Sequence, residues 1–250
     1  MIEFERVHKT FVGARGETVT AVADLDLTVT SGETHCLLGT SGCGKTTTLR
    51  LVNRLEEPTA GRVRVGGEDI AVADVIALRR RIGYVVQNGG LFPHMTVARN
   101  VALLLELEGR SAAACRARVG ELLELVNLPP DEFAERYPAE LSGGQRQRVG
   151  VARALALDPE VVLMDEPFGA LDPITRAGIH EEFTRLLARV HKTVLLVTHD
   201  LAEAFRLGER ISVMNAGRLV QTGTPEELEN APADPFVAEF LASQSGGGAR

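Results

Sequence analysis

The sequence predicts an α/β protein: a mostly parallel sheet, an N-terminal antiparallel β subdomain and an inserted helical subdomain. Three observations predict it. Short apolar runs at 34–38, 82–86, 161–164 and 194–198 each end at a glycine or a polar residue, as strands buried on both faces do. Phe183, Leu186, Leu187 and Val190 fall at helical spacing just before the last of these runs, which makes a βαβ crossover. Residues 88–157 read as helical throughout, with Val119, Leu122, Leu123 and Val126 on one face.

The elements follow in order. Residues 2–9 roughly alternate apolar and polar, and residues 19–30 are rich in Val, Leu and Thr, so both read as antiparallel strands. A further short strand lies at 62–65 between glycines. Phe11 sits between the first two strands and by itself reads as an apolar residue that packs in the core. Residues 45–53 contain good helix formers and no Gly or Pro. The sequence Leu128-Pro129-Pro130-Asp131 breaks the helical region. A helix is expected from Gly143 to Leu157, with Ser142 as its N-cap and Leu141 as its anchor in the core. Residues 211–214 and 218–221 form a hairpin around Asn215-Ala216-Gly217. Residues 243–250 are Ser/Gly-rich and are expected to be a flexible tail. The resulting division is a core with its β subdomain in 1–87 and 158–242, and a helical subdomain in 88–157 with Gln87 as hinge.

The chemistry concentrates at the strand ends. Between the strand at 34–38 and the helix at 45–53, Gly39-Thr40-Ser41-Gly42-Cys43-Gly44-Lys45-Thr46 fits G-x-x-x-x-G-K-[ST]. This makes the core a P-loop NTPase of the RecA-like kind. Glycines let backbone N–H groups close around phosphate oxygens, and the helix N-terminus adds partial positive charge. Lys45 is expected to reach the β/γ-phosphates of ATP, Thr46 to bind Mg²⁺, and Thr47 to offer another phosphate contact. Cys43 reads as a small filler contributing its N–H, with a reactive thiol as the alternative. The dinucleotide pattern G-x-G-x-x-G is absent, which disfavours a Rossmann cofactor site.

The run at 161–164 delivers Asp165 to Mg²⁺ and Glu166 to the attacking water. Gln87, after the run at 82–86, carries a neutral amide suited to the metal or the water. His199, after the run at 194–198, can hydrogen-bond a γ-phosphate. Asp172 lies just past Glu166. Each of these alone is a polar residue at a strand end; together they follow strands of one expected sheet. A second glycine patch, Leu141-Ser142-Gly143-Gly144-Gln145, has no task at the first nucleotide. It reads as a phosphate clamp for a nucleotide held by another copy.

Composition narrows the partners. The chain has 250 residues, 44% hydrophobic and 24% charged, with net charge −7. That balance is ordinary for a globular protein and disfavours a nucleic-acid partner. No apolar run approaches the roughly 20 residues of a membrane span; the run at 101–105 is stopped by Glu106. Residues 1–6 show no signal-peptide pattern, so a membrane role must come through a partner. The three cysteines have no paired spacing, as expected in a reducing compartment.

In the order P-loop at 39–46, Gln87, Leu-Ser-Gly-Gly-Gln at 141–145, Asp165-Glu166, Asp172 and His199, the chain resembles the ATP-binding cassette (ABC) ATPases. The resemblance implies a head-to-tail homodimer holding two ATPs, with Ser142, Gly143 and Gly144 facing a P-loop of the second subunit. It implies integral membrane permease subunits, the permease's cytoplasmic helix docking among 88–104. Phe92 and Met95 are the candidates for that contact, core packing being the alternative. It also places the protein on the cytoplasmic face of the cell membrane. The stretches 50–59, 87–97 and 167–176 look like those of importers of glycine betaine, choline or carnitine. Such importers work with an extracytoplasmic solute-binding protein. The family often carries Tyr where Phe11 stands, which here can stack but not hydrogen-bond. The chain stops at Arg250, so no regulatory extension of the osmoprotectant type is expected. An ATPase for another solute, an exporter, or a soluble ABC ATPase are the alternatives. The soluble kind usually carries coiled-coil insertions, Cys clusters or two cassettes, and none of these is seen.

Overall fold

The computed structural model describes residues 1–169 and 173–245. In chain order the elements are β1 (Ile2–Val12), β2 (Thr18–Val29), β3 (Thr34–Gly39), α1 (Lys45–Val52), β4 (Ala60–Val65), β5 (Glu68–Asp69), α2 (Val75–Arg80) and β6 (Ile82–Val85). They continue with α3 (Val97–Leu107), α4 (Ala112–Leu125), α5 (Pro130–Phe133), α6 (Gly143–Ala154), β7 (Val161–Asp165), α7 (Pro173–Val190) and β8 (Thr193–Thr198). The chain closes with α8 (Leu201–Leu207), β9 (Arg210–Asn215), β10 (Arg218–Gly223), α9 (Pro225–Asn230) and α10 (Pro235–Ser245). These form two compact units, residues 1–78 with 193–250 and residues 79–192.

The first unit holds an antiparallel sheet in the order β2-β1-β4-β5. The alternation in β1 is imperfect because the register shifts between Phe4 and Val7, where Arg6 takes φ +44°. A bulge of this kind resets which face is inward, so Ile2, Phe4 and Val7 are all buried. The same unit orders β10-β9-β3-β8. β3 runs parallel to both β8 and β9 and is buried along its length. β9 and β10 form the expected hairpin, with Asn215 opposite Arg218. Both turn residues, Ala216 and Gly217, have positive φ, the backbone of a two-residue turn that matches strand twist.

A polar chain lies inside this layer. His35 on β3 is fully buried. Its Nδ1 is hydrogen-bonded to Glu33 Oε1 at 2.6 Å and its Nε2 to Ser212 Oγ at 2.8 Å, and Ser212 Oγ is hydrogen-bonded to Thr222 Oγ1 at 2.7 Å. Burial lowers the His35 pKa, and the bond to Glu33 restores only part of it; Arg210 lowers it further. Burial raises the Glu33 carboxyl, but bonds from His35 and Thr30 outweigh that and hold it below its ordinary value. The pair is therefore a neutral imidazole on a carboxylate. A depressed histidine binds fewer protons folded than unfolded, so its contribution is present above the unfolded value near 6.5 and falls as pH drops below it. The Glu33 contribution is present above 4.5 and is lost below it. Urea melts between pH 7.5 and 4 are expected to show stability falling on acidification, with a shallower slope below pH 6.5 in His35→Gln. An equal slope in both proteins would remove His35 from the account.

The second unit pairs β6 with β7 in parallel. Its helices pack by the predicted stripe: Val119, Leu122, Leu123 and Val126 are all buried, each contributing about 1.5–3 kcal/mol relative to exposure.

Three expectations are corrected, and for Phe92 one of two readings is set aside. The strand expected at 82–86 ends at Val85, and Gln87 opens a 3-10 turn, Gln87–Gly90. The helix from Gly143 stops at Ala154 rather than Leu157, because Asp158 has φ +55° and the chain has already turned. Residues 243–245, expected in a flexible tail, continue α10; Val237, Phe240 and Leu241 bury its face. Residues 246–250 lie outside the described residues. Phe92 is 41% exposed and does not pack in the core. The reason is that buried Asn100 holds the loop by its backbone, accepting from Phe92 N and donating to Phe92 O.

Candidate functional site

The P-loop forms where β3 runs out. Gly44, the residue before α1, has φ +103°, and a Cβ there would lie 2.1 Å from Ala21 O. A Cβ on Gly39 would lie 2.2 Å from Met214 O. Only glycine fits both places, so the loop's N–H groups can crowd around a small anion. Lys45 begins α1 and is 5% exposed. Its ammonium donates to Gly39 O at 2.8 Å and Thr40 O at 2.9 Å, which holds the cation over the loop. Thr40, Ser41 and Gly42 form the exposed rim, and Thr46 and Thr47 lie half-buried on the first turn. That turn carries no acidic residue. The cradle, the ammonium and the helix N-terminus together suit a polyphosphate. Cys43 is buried, as a filler would be.

Leu38 pairs with Thr198 across β3 and β8, so the loop and the exposed His199 leave adjacent strand ends. Phe11 lies opposite Val19, 38% exposed, with Lys9 Nζ 4.6 Å from its ring centroid. It is a surface aromatic rather than a core one.

In the second unit, Val85 pairs with Met164 across β6 and β7. Gln87 and the Asp165-Glu166 pair therefore emerge side by side. Gln87 Nε2 donates to Glu166 Oε2 at 3.5 Å, and Tyr84 Oη donates to Asp165 Oδ2 at 3.4 Å. Glu166 has φ +45°. A left-handed conformation at a bulky residue costs roughly 1–3 kcal/mol and is found where a side chain must be aimed. Asp172 lies outside the described residues. Ser142 caps α6: its Oγ accepts from Gln145 N at 3.2 Å, and Gln145 Oε1 accepts from Ser142 N at 2.8 Å. The Gln145 amide oxygen is thus used in the cap. Leu141 is buried beneath it, leaving Ser142 exposed and Gly143 half-buried.

The structure brings the expected residues together in groups: the P-loop with His199, Gln87 with Asp165 and Glu166, and Ser142 with Gln145. Tyr84 was missed; its signal was a lone tyrosine in an apolar run one strand away from Asp165. The His35 chain was missed as well, though a histidine inside a buried run was visible.

A strand feeding a glycine cradle and a lysine-headed helix defines a P-loop nucleotide-binding protein, and Leu141-Ser142-Gly143-Gly144-Gln145 at the second capped helix carries the resemblance to cassette ATPases. The sequence model of the ABC transporter family matches residues 22–169; the chain belongs to that family. It is 49% identical over 244 residues to the choline transport ATP-binding protein OpuBA of Bacillus subtilis, covering 98% of this chain and 63% of that protein. It is 48% identical over 241 residues to the osmoprotectant import ATP-binding protein OsmV of Salmonella typhimurium, covering 96% and 63%. The chain thus spans less than two thirds of the length of these relatives. A solved dimeric ATP-binding cassette bound to ADP and Pi is 34% identical, with TM-score 0.79, over 90% of this chain and 99% of that one.

Proposed function

We propose that the chain is the ATP-hydrolysing, energy-coupling subunit of an ABC importer for quaternary amine osmoprotectants of the glycine betaine, choline or carnitine type. One observation carries the reading. The same chain holds a glycine cradle headed by buried Lys45 and a second helix N-terminus capped at exposed Ser142. Lys45 and the loop amides would hold the β/γ-phosphates of ATP, with Thr40, Ser41, Gly42 and Thr47 at the rim and Phe11 against the adenine. Thr46, Asp165 and Gln87 would hold Mg²⁺, which when bound offsets phosphate charge. Glu166 would orient and deprotonate the water, and His199 would steady the γ-phosphate. Ser142, Gly143 and Gly144 would face the nucleotide of a second subunit. The relatives' printed functions in choline and osmoprotectant transport support the solute class. The dimeric solved cassette supports a homodimer.

The membrane partner would be a permease. Among the described residues no helix is long and apolar enough to cross a membrane. A groove of about 730 Å³ opens among α3, α4 and α5, floored by Ala102, Cys115 and Val119 and rimmed by Arg99, Glu106 and Arg110. An apolar floor with a charged rim suits the two faces of an amphipathic helix. We assign it, with Phe92, to the permease's cytoplasmic helix. The subunit would work on the cytoplasmic face of the cell membrane, with an extracytoplasmic solute-binding protein supplying the solute.

The test is ATPase rate against protein concentration, with Mg²⁺. The rate per subunit is expected to rise with concentration and level off as dimer forms. A constant rate in a protein shown to be monomeric would remove the trans role of Ser142 and, with it, the transporter-motor reading.

A further inference from the structure

We infer that Arg153 and Asn100 are positioning residues that fix the loop at 87–96 to the helix capped by Ser142, so that force on the loop reaches that helix. The inference rests on the proposed function only in its second half; the clamp itself is geometric.

Arg153 lies in the last turn of α6. Its Nη1 donates to Gly90 O at 2.8 Å and its Nη2 to Gly89 O at 2.9 Å. The guanidinium also sits 5.9 Å from the Phe92 ring. Burial pushes its pKa below the ordinary arginine value, as befits a charge taken from water and met by carbonyl dipoles. The same helix touches the turn at two further points. A Cβ on Gly89, where φ is +73°, would lie 2.6 Å from Arg146 O, and one on Gly150 would lie 2.9 Å from Gly89 Cα. Arg146, Gly150 and Arg153 fall on one helical face. The turn is therefore in backbone contact with α6 and locked there by a two-pronged donor.

Asn100 holds the other end. It is fully buried on α3. Its Oδ1 accepts from Phe92 N at 2.8 Å, and its Nδ2 donates to Phe92 O at 3.2 Å, Met95 O at 3.1 Å and Thr96 O at 3.0 Å. The part that faces solvent is the side-chain tip at Phe92, Pro93 and His94, all exposed. A loop held by its backbone with an exposed apolar tip resists local yielding. A displacement at the tip then moves α6, and Ser142 sits at the N-terminus of α6.

Arg153→Lys tests this in the full chain. Lysine keeps the charge but loses the planar fork, so it cannot grip both carbonyls alike. Amide hydrogen exchange across 87–92 is expected to quicken about tenfold while exchange in β7 stays unchanged. Affinity for a fluorescent ATP analogue and KM should be retained, while kcat falls roughly tenfold through misplacement of Ser142. Unchanged exchange would overturn the clamp. Faster exchange with wild-type kcat would overturn the transmission. Absence of ATPase activity in the wild type would overturn the proposed function instead, and the exchange result would still judge the clamp. Should Arg153→Lys fail to fold, Asn100→Ser is read in the same way at the Phe92 amide, which donates to Asn100 Oδ1.

Discussion

Glu166→Gln is expected to bind ATP as the wild type does while its turnover falls by roughly 100-fold or more, the range for losing a general base. The substitution keeps the shape and an oxygen that can accept from Gln87 Nε2. It removes the negative charge and the capacity to take a proton. The substitution leaves the glycine cradle and the Lys45 bonds to Gly39 O and Thr40 O as they are. Glu166 stands at φ +45°, a left-handed backbone that the substitution leaves in place. Because hydrolysis is what separates the subunits in this reading, ATP should also shift the variant to a dimer. Phosphate release, titration with a fluorescent ATP analogue and size-exclusion chromatography with and without ATP give the three readouts. Wild-type turnover would strip Glu166 of its role and move the search to His199.

How much was legible follows from what each signal depends on. The P-loop could be read because its glycines are dictated by local sterics: Gly44 and Gly39 stand where a Cβ would strike Ala21 O and Met214 O. The cap at Ser142 could be read because Ser-x-x-Gln is a local reciprocal bond. The buried strands were visible as apolar runs. What was not legible depends on distant partners. Phe92 is apolar, yet its loop is fixed through backbone bonds to Asn100, and nothing local says that its ring stays outside. Arg153 looks like any charged residue at a helix end until its carbonyl partners come into view. The His35 chain joins three strands. One miss was avoidable: Thr224-Pro225-Glu226-Glu227 is a capping box with proline at the first turn, and α9 starts there.

Ser142→Arg separates a clamp for a second subunit's nucleotide from a contact made within one subunit. The substitution loses the bond from Gln145 N, a cap worth about 1 kcal/mol, so melting should drop only a few degrees. The long side chain would stand over the first N–H groups of α6, where a partner's phosphate is to approach. Binding of ATP to the monomer should be unaffected, and the rise of ATPase rate with concentration should vanish. Ser142→Asp sharpens the result. Aspartate is as good an N-cap as serine and adds favourable charge to the free helix end, so folding is not weakened. The same carboxylate would repel a γ-phosphate delivered from another copy. Loss of the concentration-dependent rate in a variant as stable as the wild type therefore has to come from the encounter between subunits. If either variant instead weakened ATP binding to the monomer, Ser142 would belong to the nucleotide of its own chain. The two-subunit site would then have to be abandoned.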